Sequence, residues 1–306
     1  MEQRPDLRVR IGTIELASPI IAASGTFGYG LEFAHLTDLN RLGGFVTKGL
    51  SVKPMAGAPA PRLAETAAGM VNAVGLQNIG VRAFVAEKLP ALRSYRTSVV
   101  ANVFGSTVEE YVEVVRVLED SEGVAAYELN VSCPNTDEGG REFGIDAGLT
   151  AKLVEQARRA SRRPLWVKLS PLVTDIRLMA RAAEEAGADA LTVANTFPAM
   201  SLDIQTRKSR LGRLSGGLSG PAIKPLTLKL VYETCQAVRI PVIGVGGIET
   251  AEDVLEYMLA GASAVQVGTA HFANPCISVD LVEGVEKLAT KLKVRCINKL
   301  RGALSA

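Results

Sequence analysis

The chain has 306 residues, 47% of them hydrophobic, and carries 34 Lys and Arg against 32 Asp and Glu for a formal net charge of +2. A balance this even, with the charges scattered rather than blocked, lacks the basic footprint of a nucleic-acid or membrane-surface binder. No stretch approaches the roughly 20 consecutive apolar residues of a membrane span, and MEQRPDLRVRIG lacks the apolar core of a secretion signal, so a cytoplasmic location is expected.

Short apolar or β-branched runs alternate with longer stretches of helical period, the signature of parallel βαβ units. PIIAAS (19–24) and GFVTKG (44–49) read as the first two strands, followed by an insertion over 50–80. SVVANVFG (98–105) leads into the amphipathic VEEYVEVVRVLED (108–120), AAYELNVS (125–132) into AGLTAKLVEQARRA (147–160), and PLWVKLS (164–170) into DIRLMARAAEEAG (175–187). DALTVANT (189–196) precedes a second insertion, 197–222, and the helical IKPLTLKLVYETCQAV (223–238). PVIGVGG (241–247), AEDVLEYMLAGA (251–262) and AVQVGTA (264–270) complete eight strands. Eight such units predict a (β/α)8 TIM barrel. No linker or change in composition divides the chain, and closure needs every unit, so one domain over 1–306 is expected. Both insertions fall at the C-terminal ends of strands, where such barrels build their sites.

The residues at those ends are Ser24, Lys48, Asn102, Asn130 with Cys133, Lys168, Asn195 with Thr196, Gly246 with Gly247, and Gly268 with Thr269. Polar groups at so many strand ends are costly to bury as mere packing, and a polar ligand explains them. GVGGIET (244–250) and VQVGTA (265–270) end the seventh and eighth strands, where glycine amides commonly hold a phosphate, and Gly220 in GGLSGPA can join them. Either glycine cluster alone could simply end a strand; the two together favour phosphate. Lys48 and Lys168 each follow an apolar run and would carry a cation into the barrel mouth, where an anionic partner is needed.

Cys133, Cys235, Cys276 and Cys296 form no CxxC pair, and His35 and His271 are the only histidines. A zinc ribbon, an iron-sulfur cluster within this chain, a disulfide framework and a His-rich metal site are all disfavoured, and no metal is expected. A free thiol is usually an inert small hydrophobe. Cys133 differs: it follows the fourth strand at the ligand end and precedes DEGGREFG (137–144), a Gly-rich stretch suited to a mobile lid. A thiol of ordinary pKa ~8.5 can act as a base with modest help. Cys235 and Cys296 read as packing or surface residues and Cys276 as a loop residue.

From NVSCPNT outward the sequence resembles class 1 dihydroorotate dehydrogenases. ASGTFGYG (23–30), TKG (47–49), NAVGLQN (72–78), ANVFG (101–105), ELNVSCPN (128–135), VKLSP (167–171), ANT (194–196), GGLSGPAIKP (216–225), GVGGI (244–248) and VQVGTA (265–270) occur in family order. The resemblance implies FMN against Ser24, Lys48, Gly49, Asn102, Asn130, Lys168, Ala194, Gly220, Gly246, Gly247, Gly268 and Thr269. It implies dihydroorotate or orotate against Lys48, Asn72, Ala73, Val74, Gly75, Leu76, Asn130, Asn135, Asn195 and Thr196. Cys133 corresponds to the catalytic base and Lys168 to the residue stabilising negative charge on reduced flavin. The chain departs from the pattern at NTFPAM, where Pro198 is followed by Ala199 in place of the family's glycine.

No GxGxxG follows a strand to suggest a site for NAD within the chain. The stretch 200–225 is similar to class 1B catalytic subunits, which implies a partner subunit carrying FAD and a 2Fe-2S cluster, NAD as final acceptor, and a catalytic homodimer within a heterotetramer. Read from the residues alone, a lysine and a phosphate site in a barrel also suit a Schiff-base aldolase, and a dihydropyrimidine-reducing flavoenzyme is a further alternative.

Overall fold

The computed structural model describes residues 4–132, 134–135 and 141–305. Its centre is a closed barrel of eight parallel strands: β1 (Ile20–Ala22), β2 (Gly44–Val46), β3 (Ser98–Val103), β4 (Ala126–Asn130), β5 (Leu165–Lys168), β6 (Ala190–Val193), β7 (Val242–Val245) and β8 (Ala264–Val267). Neighbours in sequence are neighbours in space, and β8 returns to β1 through the register Val265↔Ile20, Gln266↔Ile21 and Val267↔Ala22. All eight strands match the runs read from sequence. Apart from Ser98 and Asn130 at their ends, the strand residues are buried, because helices cover the outer face and packed side chains fill the inner one.

The covering helices are α1 (Val108–Glu119), α2 (Ala147–Ala160), α3 (Ile176–Glu185), α4 (Lys224–Ala237), α5 (Ala251–Leu259) and α6 (Ile277–Lys291). Local chemistry starts them. Thr107 accepts from Glu110 N at 3.2 Å ahead of α1, and Asp146 from Leu149 N at 3.0 Å ahead of α2. Thr250 and Asp253 form a reciprocal capping box on α5. In α1, Val108, Tyr111, Val114, Val115 and Leu118 are buried, the spacing of one helix face.

Three elements go beyond those marked by periodicity. A hairpin, Val9–Ile11 with Ile14–Leu16, turns at Gly12 beside Asp189, immediately before β6, and so covers the N-terminal end of the barrel. A helical segment over 81–92 contains a π turn at Phe84–Lys88 and Pro90 in its last turn, which obscures its period. Helix α6 packs against α5 and β1.

The two insertions meet. Phe197–Ala199, Gly216–Ser219, Gly69–Asn72 and Leu63–Thr66 form one antiparallel sheet in that order, over a small core of Ala64, Val71, Ala73 and Leu211. Pro198 falls on its edge strand, opposite Gly217, where a missing N–H is tolerated.

After β8 the chain makes a short turn at Ala270–Ala273, burying His271 against Phe27 and Phe33. The ring's Nδ1 lies 3.1 Å from Gly268 O and Nε2 2.9 Å from Ser278 Oγ. Burial lowers its pKa from 6.5 to about 4. Since the folded value is depressed, the contribution of neutral His271 to stability is complete above pH 6.5 and is lost as the pH falls towards 4. The shift corresponds to about 3 kcal/mol. His271→Gln, which keeps hydrogen bonds without titrating, should flatten the fall in urea-unfolding free energy between pH 7 and 4; identical pH slopes in parent and variant would count against this role.

Candidate functional site

A cavity of about 580 Å³ opens at the C-terminal ends of the strands. Ser24 reaches it from beyond β1, Lys48 and Gly49 from beyond β2, Asn102 from β3, Asn130 and Lys168 from the last positions of β4 and β5. Ala194, Asn195 and Thr196 follow β6, Gly246 and Gly247 follow β7, and Gly268 and Thr269 follow β8. The insertions contribute Asn72, Ala73, Val74, Gly75, Leu76 and Gly220. Cys133 lies outside the described residues, as do residues 136–140, which include the first half of the Gly-rich stretch after it. Asn135 belongs to a two-residue strand, Pro134–Asn135, paired with Arg141–Glu142, and its side chain lies outside the described part.

The glycines of the β7 and β8 ends form a cradle. A Cβ on Gly246 would stand 2.6 Å from Thr227 Oγ1, one on Gly247 2.9 Å from Gly220 O, and one on Gly220 2.6 Å from Gly69 Cα. Gly246 accepts from Tyr257 OH at 2.7 Å, which ties its carbonyl to α5. A Cβ on Gly268 would make only ordinary contact, 3.6 Å from Ala23 Cβ. Thr269 Oγ1 donates to Ser219 Oγ at 2.7 Å, tying the β8 end to the insertion sheet. Backbone amides gathered beside open space suit a phosphate.

Both lysines enter the cavity. Lys168 is 7% exposed, and its Nζ has Ser24 Oγ at 3.4 Å as its hydrogen-bond partner. Lys48 is half-buried; burial lowers its pKa, Arg62 adds to the effect and Glu32 opposes it. Among the described residues neither lysine forms an ion pair, as Lys224 does with Asp253. A buried ammonium without a carboxylate is costly, and an anionic ligand removes that cost.

The amides are held from behind. Tyr111 OH in α1 donates to Asn130 O at 2.6 Å, Asn195 Nδ2 donates to Asn130 Oδ1 at 3.2 Å, and Asn195 Oδ1 accepts from Thr196 N at 2.8 Å. Asn72 Nδ2 donates to Gly217 O at 3.1 Å across the insertion sheet.

Several lining residues were not marked by sequence reasoning, among them Ser219, Glu142 and Gln266. Glu142 has its pKa raised by burial. Gln266 sits within an otherwise apolar strand run, and that lone polar position is the signal that could have found it. Glu128 in YELN has the same signature.

A family model for dihydroorotate dehydrogenase matches residues 6–289. The chain belongs to the dihydroorotate dehydrogenase family. Among curated members it is 51% identical to the "Dihydroorotate dehydrogenase B (NAD(+)), catalytic subunit" of Thermodesulfovibrio yellowstonii, covering 98% of this chain and 99% of that one. It is 57% identical, at the same coverage, to the "Putative dihydroorotate dehydrogenase A (fumarate)" of Solibacter usitatus. The crystal structure of Eimeria tenella DHODH in complex with ferulenol superposes with a TM-score of 0.82 over 99% of this chain and 89% of that one, at 22% identity, and supports the fold.

In this family member the insertion sheet sets one wall of the cavity through close backbone packing. A Cβ on Gly217 would collide with Thr196 Oγ1. Gly217→Ala should therefore destabilise the fold by roughly 1–3 kcal/mol, seen as a lowered urea midpoint; an unchanged midpoint would show that Thr196 is not confined by this contact.

Proposed function

We propose that this chain oxidises (S)-dihydroorotate to orotate, a step of de novo pyrimidine biosynthesis, with FMN held in the cavity at the barrel mouth. The observation that carries the reading is the convergence of a glycine cradle and two lysines, neither with a carboxylate partner among the described residues, on one amide-lined cavity. FMN fits those residues. Its phosphate matches the amides of Gly220, Gly246, Gly247 and Gly268 with Thr269, and its ring and ribityl chain match the polar groups of Ser24, Lys48, Gly49, Asn102, Asn130, Lys168 and Ala194. When bound, FMN supplies the acceptor for the hydride released from C6 of the substrate.

The remaining work falls to the chain. Lys48, Asn72 to Leu76, Asn130, Asn135, Asn195 and Thr196 would hold dihydroorotate, with amide groups meeting its imide and amide edges and the cation its carboxylate. Cys133 accepts the proton from C5. Lys168 supplies positive charge where electron density accumulates. Membership of the family does not favour the aldolase reading, in which Lys168 would form a Schiff base.

Electrons must leave the site to an acceptor. The reading preferred here is class 1B: a second subunit carrying FAD and a 2Fe-2S cluster passes them to NAD, within a heterotetramer built on a dimer of catalytic chains. It is supported by the names of relatives such as the "Dihydroorotate dehydrogenase B (NAD(+)), catalytic subunit" of Pelobacter propionicus, 50% identical over 98% of this chain. The insertion that resembles class 1B also exposes Met200, Leu202, Ile204 and Leu214, apolar surface suited to being covered. The name of the Solibacter relative favours a second reading, direct transfer to fumarate. Among the described residues no helix is long and apolar enough to cross a membrane, and a cytoplasmic enzyme is proposed.

Cys133→Ala should retain FMN, seen by its absorption near ~450 nm, while anaerobic reduction by dihydroorotate slows roughly 10²–10⁴-fold. Cys133→Ser should recover at high pH, because a hydroxyl is the poorer base. Near-normal reduction in the Ala variant would remove Cys133 from the mechanism. For the acceptor, the purified chain with dihydroorotate should reduce artificial dyes but neither NAD nor fumarate, and added iron-sulfur flavoprotein subunit should restore NADH formation. Sustained succinate formation by the chain alone would establish the fumarate reading instead.

A further inference from the structure

Four polar side chains, each from a different strand, meet inside the barrel. Glu128 on β4 is fully buried, and its carboxyl oxygens accept from Asn102 Nδ2 on β3 at 2.9 Å, Thr192 Oγ1 on β6 at 2.8 Å and Gln266 Nε2 on β8 at 2.5 Å. Strands β4 and β8 stand on opposite sides of the barrel, so the contact between Glu128 and Gln266 crosses its interior. Filling the same space with apolar groups would avoid the desolvation of every one of them.

A primary amide has a donor end and an acceptor end. Once the NH2 groups of Asn102 and Gln266 are turned onto Glu128, their carbonyl oxygens face elsewhere. Both residues line the cavity. Oε1 of Gln266 is buried and has no hydrogen-bond partner among the described residues. Asn102 Oδ1 would lie 3.0 Å from a Cβ built on Gly49, at the cavity wall.

We propose that Glu128 is a positioning residue: by holding the amide of Gln266, and with it that of Asn102, it presents Gln266 Oε1 as a hydrogen-bond acceptor to a donor of the bound flavin. The inference rests on the FMN reading above. Two flavin groups supply that chemistry, the imide N3–H and the ribityl hydroxyls. A buried acceptor left unsatisfied costs about 1–3 kcal/mol, and the flavin donor removes that cost on binding.

The test uses the apoprotein titrated with FMN, 3-methyl-FMN and the ribityl-monodeoxy FMNs, read by quenching of flavin fluorescence and by the position of the bound flavin's absorption band. The parent should bind FMN and bind at least one analogue more weakly, by roughly 5- to 100-fold; which analogue identifies the donor. Gln266→Met, of similar volume, should bind FMN more weakly by a comparable factor and no longer distinguish that analogue. Glu128→Gln places an NH2 where one neighbouring amide must donate, so it should reproduce the Met variant's loss and shift the absorption band. Circular dichroism checks that each variant folds, and the Met variant alone suffices should Glu128→Gln not fold. A Met variant that keeps both the affinity and the discrimination of the parent overturns the inference, as does a folded Glu128→Gln with unaltered binding. Failure of the parent to bind FMN at all sinks the flavin reading itself.

Discussion

Closure of the barrel by hydrogen bonding between β8 and β1 is the constraint on which the rest depends. With all strands parallel, closure brings eight C-terminal ends onto one rim, so residues as distant in sequence as Ser24 and Thr269 line the same cavity. It also fixes an inside and an outside. The covering helices bury one face against the outer surface, and the hairpin at Gly12 covers the opposite end.

A closed interior makes polar groups expensive, yet this barrel holds Glu128, Asn102, Thr192, Gln266 and Lys168. Glu128 accepts from Asn102, Thr192 and Gln266, and Gln266 Oε1 has no partner among the described residues, while Lys168 reaches Ser24 at 3.4 Å. What remains unmet among the described residues, a cation without a carboxylate and an amide oxygen, belongs to two residues that line the cavity. The unsatisfied chemistry is therefore complementary to a ligand bearing both anionic groups and hydrogen-bond donors, which is what a flavin phosphate ester offers.

Support for the site extends outward from the rim. Helix α1 places Tyr111 under Asn130, α5 places Tyr257 under Gly246, and the buried His271 sits beneath Gly268. Each is a core residue by burial, and each sets the direction of a backbone carbonyl next to the cavity. Core packing and site geometry are thus one arrangement here, and the insertion sheet adds the remaining wall through Asn72, Thr196 and Ser219.

The eight strands and the helices 108–120, 147–160, 175–187, 223–238 and 251–262 were legible in the sequence because each carries its own period and its own end signals. The strand-end residues, Lys168 and Gly246 among them, followed from that reading, since the C-terminal end of a barrel strand has one destination. The helical segment over 81–92 was not legible, because a π turn and Pro90 break its period. Nor was the insertion sheet: its strands are three or four residues long, two contain glycines, and they pair across gaps such as the 145 residues from Asn72 to Gly217. The partnership of Glu128 with Gln266 was likewise decided by tertiary structure alone. Alternation marks each as a polar residue in an apolar strand, but only closure determines which strands face one another across the barrel, and so which side chains can meet.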